Sequence, residues 1–524
     1  MTIDTRAQAV DALFTQWAKS DSPGCTVAIM QDGEMLYKQG YGMANLEYNI
    51  PNRPDTIYHV ASVSKQFTTA AILMLESDGK LSIEDDVRQY IPELHDFGDT
   101  IQIQHLIHHT SGLRDQWNLL VAAGWRMDDV ITIEDALGLI SAQRELNFKP
   151  GDAYTYCNSG YTLMAIIVER VSGKSLRQFC AERIFEPLGM TRTHFHDNYQ
   201  EIVRGRAYSY SNNGDGFKHA HLMYSNVGPT SLFTTVEDLM LWGQNYLEPK
   251  VGGEDWTARM TEHGMLNDGE PIAYASGVLN RPHRGVPTIE HSGGDAGFRT
   301  HFATFPDQKL SVAVFANLGS IRASVVAMQV ADIYLSDAID EDATEVMALS
   351  SERLQELAGL YYNESTTESL SLEYKDDDEA EPCLTLYDLK MEAIAEDRLR
   401  LAIVPGMTFQ FDENGLTVND NIGRPVTYTK IERATPSAEA LAAYAGIYFS
   451  PELDVPYTIT LKDDHLVLTR RKYGSQNLSP TAEDAFLVEN NGGSVFFTCD
   501  DAGNVSGLNV TNGRVRHLHF VREE

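Results

Sequence analysis

Apolar positions over residues 5–19 recur at helical spacing. Ala7, Val10, Leu13, Phe14 and Trp17 share one face and predict an amphipathic helix. The period then changes. Cys25–Met30 and Met35–Gln39 are extended runs around Asp32-Gly33, a hairpin turn signal. Helical spacing returns over Lys65–Glu76, ending at Asp78-Gly79, and over Tyr161–Val171, ending at Gly173; glycine closes helices in the left-handed conformation. Thr300–Phe305 and Leu310–Asn317 read as paired strands around Pro306-Asp307. Helices and hairpins mixed in this way, without strict βαβ alternation, predict an α+β domain: an antiparallel sheet with helices packed on it.

After about residue 345 long helical patterns give way to short alternating β runs. The segment Leu357–Tyr362 is echoed by Tyr444–Phe449. Each is followed by extended stretches, a D-x-x-G turn (Asp412–Gly415, Asp500–Gly503) and a closing strand (Val426–Glu432, Val515–Glu523). Two copies of one small antiparallel β-barrel are the economical reading. Ala434–Ser437 is the expected linker, and the acidic run Asp376–Glu381 a solvated loop. The expected domains are therefore 1–337, 345–433 and 438–524.

Composition narrows the partners. Of 524 residues, 75 are acidic and 41 are Lys or Arg, a formal net charge of −34. A field of that sign repels nucleic acid and anionic membranes, so neither is expected as a partner. No run of eighteen apolar residues predicts a membrane span, and the first residues lack the basic and apolar regions of a signal peptide. The five cysteines are scattered, with no C-x-x-C pair. These features lead us to expect a cytoplasmic protein acting on a small-molecule or peptide substrate. The oligomeric state stays open, with a homodimer among the possibilities.

Three segments carry candidate chemistry. Ser62-Val63-Ser64-Lys65 places a serine one helical turn before a lysine, on the same face and near a helix N-terminus. A desolvated lysine there can handle the serine proton. Tyr156 and Asn158 lie in a turn-rich loop after Pro150-Gly151, where a tyrosine with cationic neighbours can exchange a proton with serine or leaving group. His291-Ser292-Gly293-Gly294 puts a polar residue before glycines, which let a substrate backbone approach and offer an oxyanion donor. The histidines at 105, 108 and 109 and at 219 and 221 lack the pattern of a metal site. With no phosphate-binding loop either, no metal and no cofactor is expected.

S-x-x-K, Y-x-N and H-x-G in this order resemble the serine β-lactamase and DD-peptidase superfamily, in its class C-like branch. His109–Leu113, Gly160-Tyr161 and Thr234–Leu239 are similar to recurring segments of that family, and the resemblance covers roughly residues 20–337. It implies a β-lactamase/transpeptidase-like catalytic domain ahead of the two barrels. It casts Ser62 as the acyl-enzyme nucleophile and Lys65 and Tyr156 as the pair that activate it, leaving open which is the base. Asn158 and Gln116 are implied as amide-binding groups. His291 is implied to face the substrate carboxylate or the tyrosine, and Gly294, beside Gly293, to supply the second oxyanion donor. His in place of the family's lysine weakens the case for β-lactam hydrolysis, because histidine is not permanently charged at neutral pH. A finer resemblance is to bacterial D-aminopeptidases, which carry two such barrels. It implies a loop of the last barrel, about Arg471–Asp484, reaching the active site, with Asp484 or Glu483 reading a substrate ammonium. The barrels are then expected to govern specificity more than chemistry. A carboxylesterase on the same scaffold and a penicillin- or muropeptide-binding protein that fails to turn over are the alternatives.

Overall fold

The Asp32-Gly33 dipeptide takes positive φ at both positions (51° and 78°), the geometry a tight two-residue hairpin needs. It joins the strands Cys25–Gln31 and Glu34–Tyr41 at one edge of a six-stranded antiparallel sheet. The spatial order continues from Cys25–Gln31 through Leu310–Ala316, Phe298–Phe305 and Val286–Asp295 to Leu279–His283. Every residue of Leu310–Ala316 is buried, as a central strand covered on both faces must be. One face is covered by the helices Ile3–Phe14 and Ala323–Tyr334, the other by a larger helical layer that includes Lys65–Ser77, Asn158–Ser172 and Val236–Leu247. In this computed structural model residues 3–340, 346–376, 381–402, 404–489 and 493–523 are described. Most of the acidic stretch 376–381 falls outside them.

The domain is α+β, as the mixed periods imply. The helix ending at Gly173 (φ 72°) begins at Asn158, three residues before the apolar spacing. Its first turn is polar yet buried, which an apolar pattern cannot report.

Beyond residue 345 the chain forms two closed antiparallel barrels of eight strands each, spanning Gly359–Ile431 and Gly446–Arg522. First and last strands pair to close each barrel. The sequence echo has a structural counterpart. Each barrel follows a short helix, Ser351–Leu357 or Ala438–Ala443. In each, the central tyrosine hydroxyl donates to the carbonyl four residues earlier: Tyr361 to Leu357 at 2.8 Å, Tyr448 to Tyr444 at 2.7 Å. The two D-x-x-G turns are held by aspartate side chains accepting from backbone N–H groups of the turn. The core of the second barrel is continuous with the first domain: Leu119, Ala122 and Ala123 pack among its apolar residues.

Candidate active site

Ser62 lies in a single 3₁₀ turn, Ala61–Ser64, that runs directly into the helix Lys65–Ser77. The three-residue spacing delivers the lysine to the serine: Lys65 Nζ and Ser62 Oγ are hydrogen-bonded at 3.1 Å. Nζ donates to Asn158 Oδ1 at 2.8 Å and to the Pro229 carbonyl at 2.8 Å. Lys65 is fully buried. Burial, and behind it the Arg514 guanidinium, hold its pKa well below the usual lysine value, against Asp115 and Asp295 acting in the other direction. A neutral amine, hydrogen-bonded to a hydroxyl and fixed by two acceptors, can take that hydroxyl's proton.

Asn158 is the first residue of its helix, and Asp115 caps it, accepting from both its backbone N–H and its side-chain amide at 2.7 Å. Asn158 therefore holds Lys65 with one end of its amide while Asp115 holds the other. The next residue, Gln116, is buried and accepts from Thr162 Oγ1 at 2.7 Å; it does not line the cleft. Tyr156 reaches Ser62 with its hydroxyl, and its ring lies 4.7 Å beneath Lys65 Nζ. Burial pushes its phenol up, while Ser62 and Arg514 act to lower it. Behind it sits His109, its ring among those of Tyr154, Tyr156, Tyr161 and Tyr274, with Nδ1 accepting from the Cys157 N–H at 3.0 Å.

The third wall is the strand Val286–Asp295. His291 is buried, with both ring nitrogens engaged: Nδ1 donates to the Ser292 carbonyl at 2.6 Å, which leaves Nε2 to accept from the Tyr274 hydroxyl at 3.0 Å. Burial lowers its pKa to about 3, so it is neutral at physiological pH and offers a substrate carboxylate no charge. Gly293 lies against Val60 and Ala61 at the start of the Ser62 turn, with room for nothing larger. Gly294 lines the cleft beside Ser62. Asp295, on the same wall, accepts from Thr230 Oγ1 at 2.9 Å and from Tyr224 at 3.3 Å, beside His59 Nε2 at 3.2 Å.

These groups face a cleft of about 980 Å³ whose opposite side is made by the barrels. From the first barrel comes the connection between its seventh and eighth strands, with Asp420, Ile422 and Arg424. The equivalent connection of the second barrel contributes Gly513 and Arg514, and the strand after it Arg516. Arg514 places its guanidinium 4.6 Å from the Tyr156 ring centre and 3.8 Å from Asp115. The barrel loop expected at the site is thus a different one. The Arg471–Tyr473 turn docks on the 125–129 segment, through Lys472 to Asp129 and Tyr473 to the Trp125 carbonyl. Asp484 accepts from the Tyr444 hydroxyl and, like Glu483, does not line the cleft. Arg514, Asp295, Thr230 and Asp115 carry no local motif. Only the capping position of Asp115, before the helix Gln116–Ala122, was readable from sequence.

A family profile described as Beta-lactamase matches residues 10–333. Among curated proteins the chain is similar to a D-aminopeptidase of Gluconobacter oxydans, 27% identical over 437 residues, covering 83% of this chain and 81% of that one. A D-aminopeptidase of Cereibacter sphaeroides is 28% identical, but the chain spans only 61% of its length. Penicillin-binding protein 4* of Bacillus subtilis is 27% identical over 59% of this chain and 71% of its own. Among solved structures, the octameric penicillin-binding protein homologue from Pyrococcus abyssi shares the fold with a TM-score of 0.59 at 22% identity, covering 91% of this chain and all of that one.

Proposed function

We propose, from the premise that this chain belongs to the Beta-lactamase family and is a serine hydrolase, that it is a D-aminopeptidase releasing N-terminal D-amino acids through an acyl intermediate on Ser62. The observation that carries the mechanism is the buried, pKa-lowered Lys65 with its amine 3.1 Å from Ser62 Oγ. Lys65 accepts the Ser62 proton as Oγ attacks the substrate carbonyl. Tyr156, kept protonated by burial, delivers a proton to the departing amine, and water then releases the acyl group by the reverse relay. The backbone N–H groups of Ser62 and Gly294 receive the oxyanion. His291 accepts from Tyr274 and so positions it, and transfers no proton in the reaction.

The D-aminopeptidase assignment is supported by the named relatives and by the cleft's own charges. Asp295 presents a carboxylate to the same cleft as Ser62 and takes the role of ammonium partner in place of Asp484. The test is a side-by-side assay of the protein and its Ser62→Ala variant on D- and L-alanine p-nitroanilide, a short p-nitrophenyl ester and a chromogenic cephalosporin. Cleavage of the D-anilide, absent in the variant, is expected. Ester cleavage alone would move the protein to the carboxylesterases, and a folded, active Ser62→Ala would overturn the mechanism.

A further inference from the structure

His194 and His196 sit at positions i and i+2 around the strand His194–Phe195, so their side chains leave the same face of the backbone. Glu201, five residues on, turns back toward them. One ligating atom of each of the three lies within 4.8 Å of the others. A second observation points the same way. His194 Nε2 and His196 Nδ1 are both buried and have no hydrogen-bond partner. A buried imidazole nitrogen without a partner costs free energy, and two of them beside a carboxylate are accounted for by an ion that the amino-acid chain does not itself supply.

We infer that His194, His196 and Glu201 form a binding site for one divalent transition-metal ion of the zinc class, separate from the hydrolytic centre. Two imidazoles and a carboxylate are the donor set such ions prefer, with a fourth position for water. Glu201 is about one third exposed, which gives the ion and its water a path from solvent. Arg177 holds the Glu201 carboxylate with two bonds, of 2.6 and 2.9 Å, and also binds Asp197 at 2.9 Å. A carboxylate has lone pairs enough to serve both arginine and metal, and such outer partners orient ligands.

None of the three lines the Ser62 cleft, so the ion takes no part in the hydrolytic steps. Its place is structural. The strand His194–Phe195 pairs with Leu232–Thr234, and the His196 N–H donates to the Ser231 carbonyl at 2.8 Å. Leu232 in turn bonds Ser64 and Val60 at the nucleophile turn. An ion there would fasten the outer strand and its following loop onto the strand that backs Ser62.

The test uses the full chain, stripped by a chelator and dialysed, then titrated with Co²⁺ followed by visible absorbance and with Zn²⁺ by calorimetry. One equivalent is expected to bind, with a higher melting temperature in the presence of Zn²⁺. His196→Gln and Glu201→Gln should each weaken binding by more than the roughly 10–100-fold that loss of an outer partner costs. Glu201→Gln keeps the side-chain shape, so it decides the matter if the histidine variant does not fold, as judged by circular dichroism. A double change of the stacked surface pair, His219→Gln with His221→Gln, should leave the stoichiometry at one. No binding by the stripped protein, or unchanged affinity in a folded Glu201→Gln, would overturn the inference. Loss of the equivalent with the surface pair would overturn it too, by assigning the ion there.

Discussion

Gly293→Ala puts the contact between the third wall and the nucleophile turn to a quantitative test. A Cβ on Gly293 would stand 2.3 Å from the Val60 carbonyl oxygen and 2.3 Å from Thr300 Oγ1, with Ala61 Cβ at 3.2 Å. An ordinary carbon–oxygen contact is about 3.3 Å, so the overlap is about 1 Å. The threonine cannot simply swing clear, because its hydroxyl donates to that same Val60 carbonyl at 2.9 Å. The carbonyl is fixed in turn: Val60 N–H donates to the Leu232 carbonyl, and Val63 N–H donates back to the Val60 oxygen. The strand must therefore move off the turn by about the overlap. Overpacking of this kind costs about 1–3 kcal/mol, and a displacement of about 1 Å at reacting groups costs roughly 100-fold in rate. Steady-state hydrolysis of D-alanine p-nitroanilide reads the second effect. Tryptophan fluorescence during urea unfolding reads the first; all five tryptophans precede residue 257, and only Trp125 packs against the core of the second barrel among the described residues, so the signal is dominated by the first domain. Gly294→Ala is the control: its Cβ would meet nothing nearer than the Arg299 side chain at 3.7 Å, and its unfolding transition should stay in place. A Gly293→Ala protein with wild-type kcat and an unshifted transition would refute the close-approach reasoning.

Arg514→Met removes a cation that lowers the Lys65 pKa, so the acidic limb of the kcat/KM profile should move to higher pH and Arg514→Lys should restore it; an unmoved limb would disconnect the second barrel from the chemistry. Asp295→Asn should raise KM for the D-anilide by roughly 10–100-fold, the worth of a charge-assisted hydrogen bond, while a p-nitrophenyl ester without an ammonium is unaffected; equal losses on both would make Asp295 structural. His109 and His291 are held neutral by burial, His291 down to about pH 3. Below the unfolded value of about 6.5 the unfolded chain takes up protons that the folded chain refuses, so stability contributed at neutral pH is lost by up to about 1.4 kcal/mol per pH unit for each. Urea midpoints at pH 7 and pH 5 should show this fall, and His109→Gln should flatten it; a flat wild-type profile would contradict the burial argument.

The meeting of Ser62 and Lys65 was readable from sequence because its geometry is local: Lys65 follows Ser62 by three positions, and any helical start places them together. The barrels were readable because an echo of sequence implies an echo of structure, and Tyr361 and Tyr448 repeat one hydrogen bond. The cleft's far wall was not readable. Arg514 lies in a hairpin turn, Asn512-Gly513-Arg514, that resembles any other, and its arrival over Tyr156 depends on how a closed barrel docks. The same limit explains the displaced expectation for Asp484, since a barrel presents turns at both ends and sequence does not say which end faces the neighbouring domain. His194 and His196 escaped notice for a related reason. Two histidines at alternate strand positions are ordinary until Glu201 is folded back beside them.

The docking of the second barrel also bears on what its removal would report. Arg114, fully buried, projects out of the catalytic domain into the barrel, where its guanidinium donates to Glu452 at 2.7 Å and to the carbonyls of Arg516 and His517 at 3.0 Å each. The adjacent Asp115 holds Asn158, which holds Lys65. Deleting residues 440–524 would leave Arg114 with only the exposed Glu145, 3.5 Å away, as an ionic partner. The deletion would also uncover the guanidinium to water, and the rearrangement that follows would fall one residue from Asp115, which holds the Asn158 bonded to Lys65. Loss of activity in such a truncation would therefore say little about specificity. The barrel is bound to the Ser62–Lys65 cluster twice, by the Arg114 lock and by the Arg514 charge, and a change confined to Arg514 leaves the lock in place.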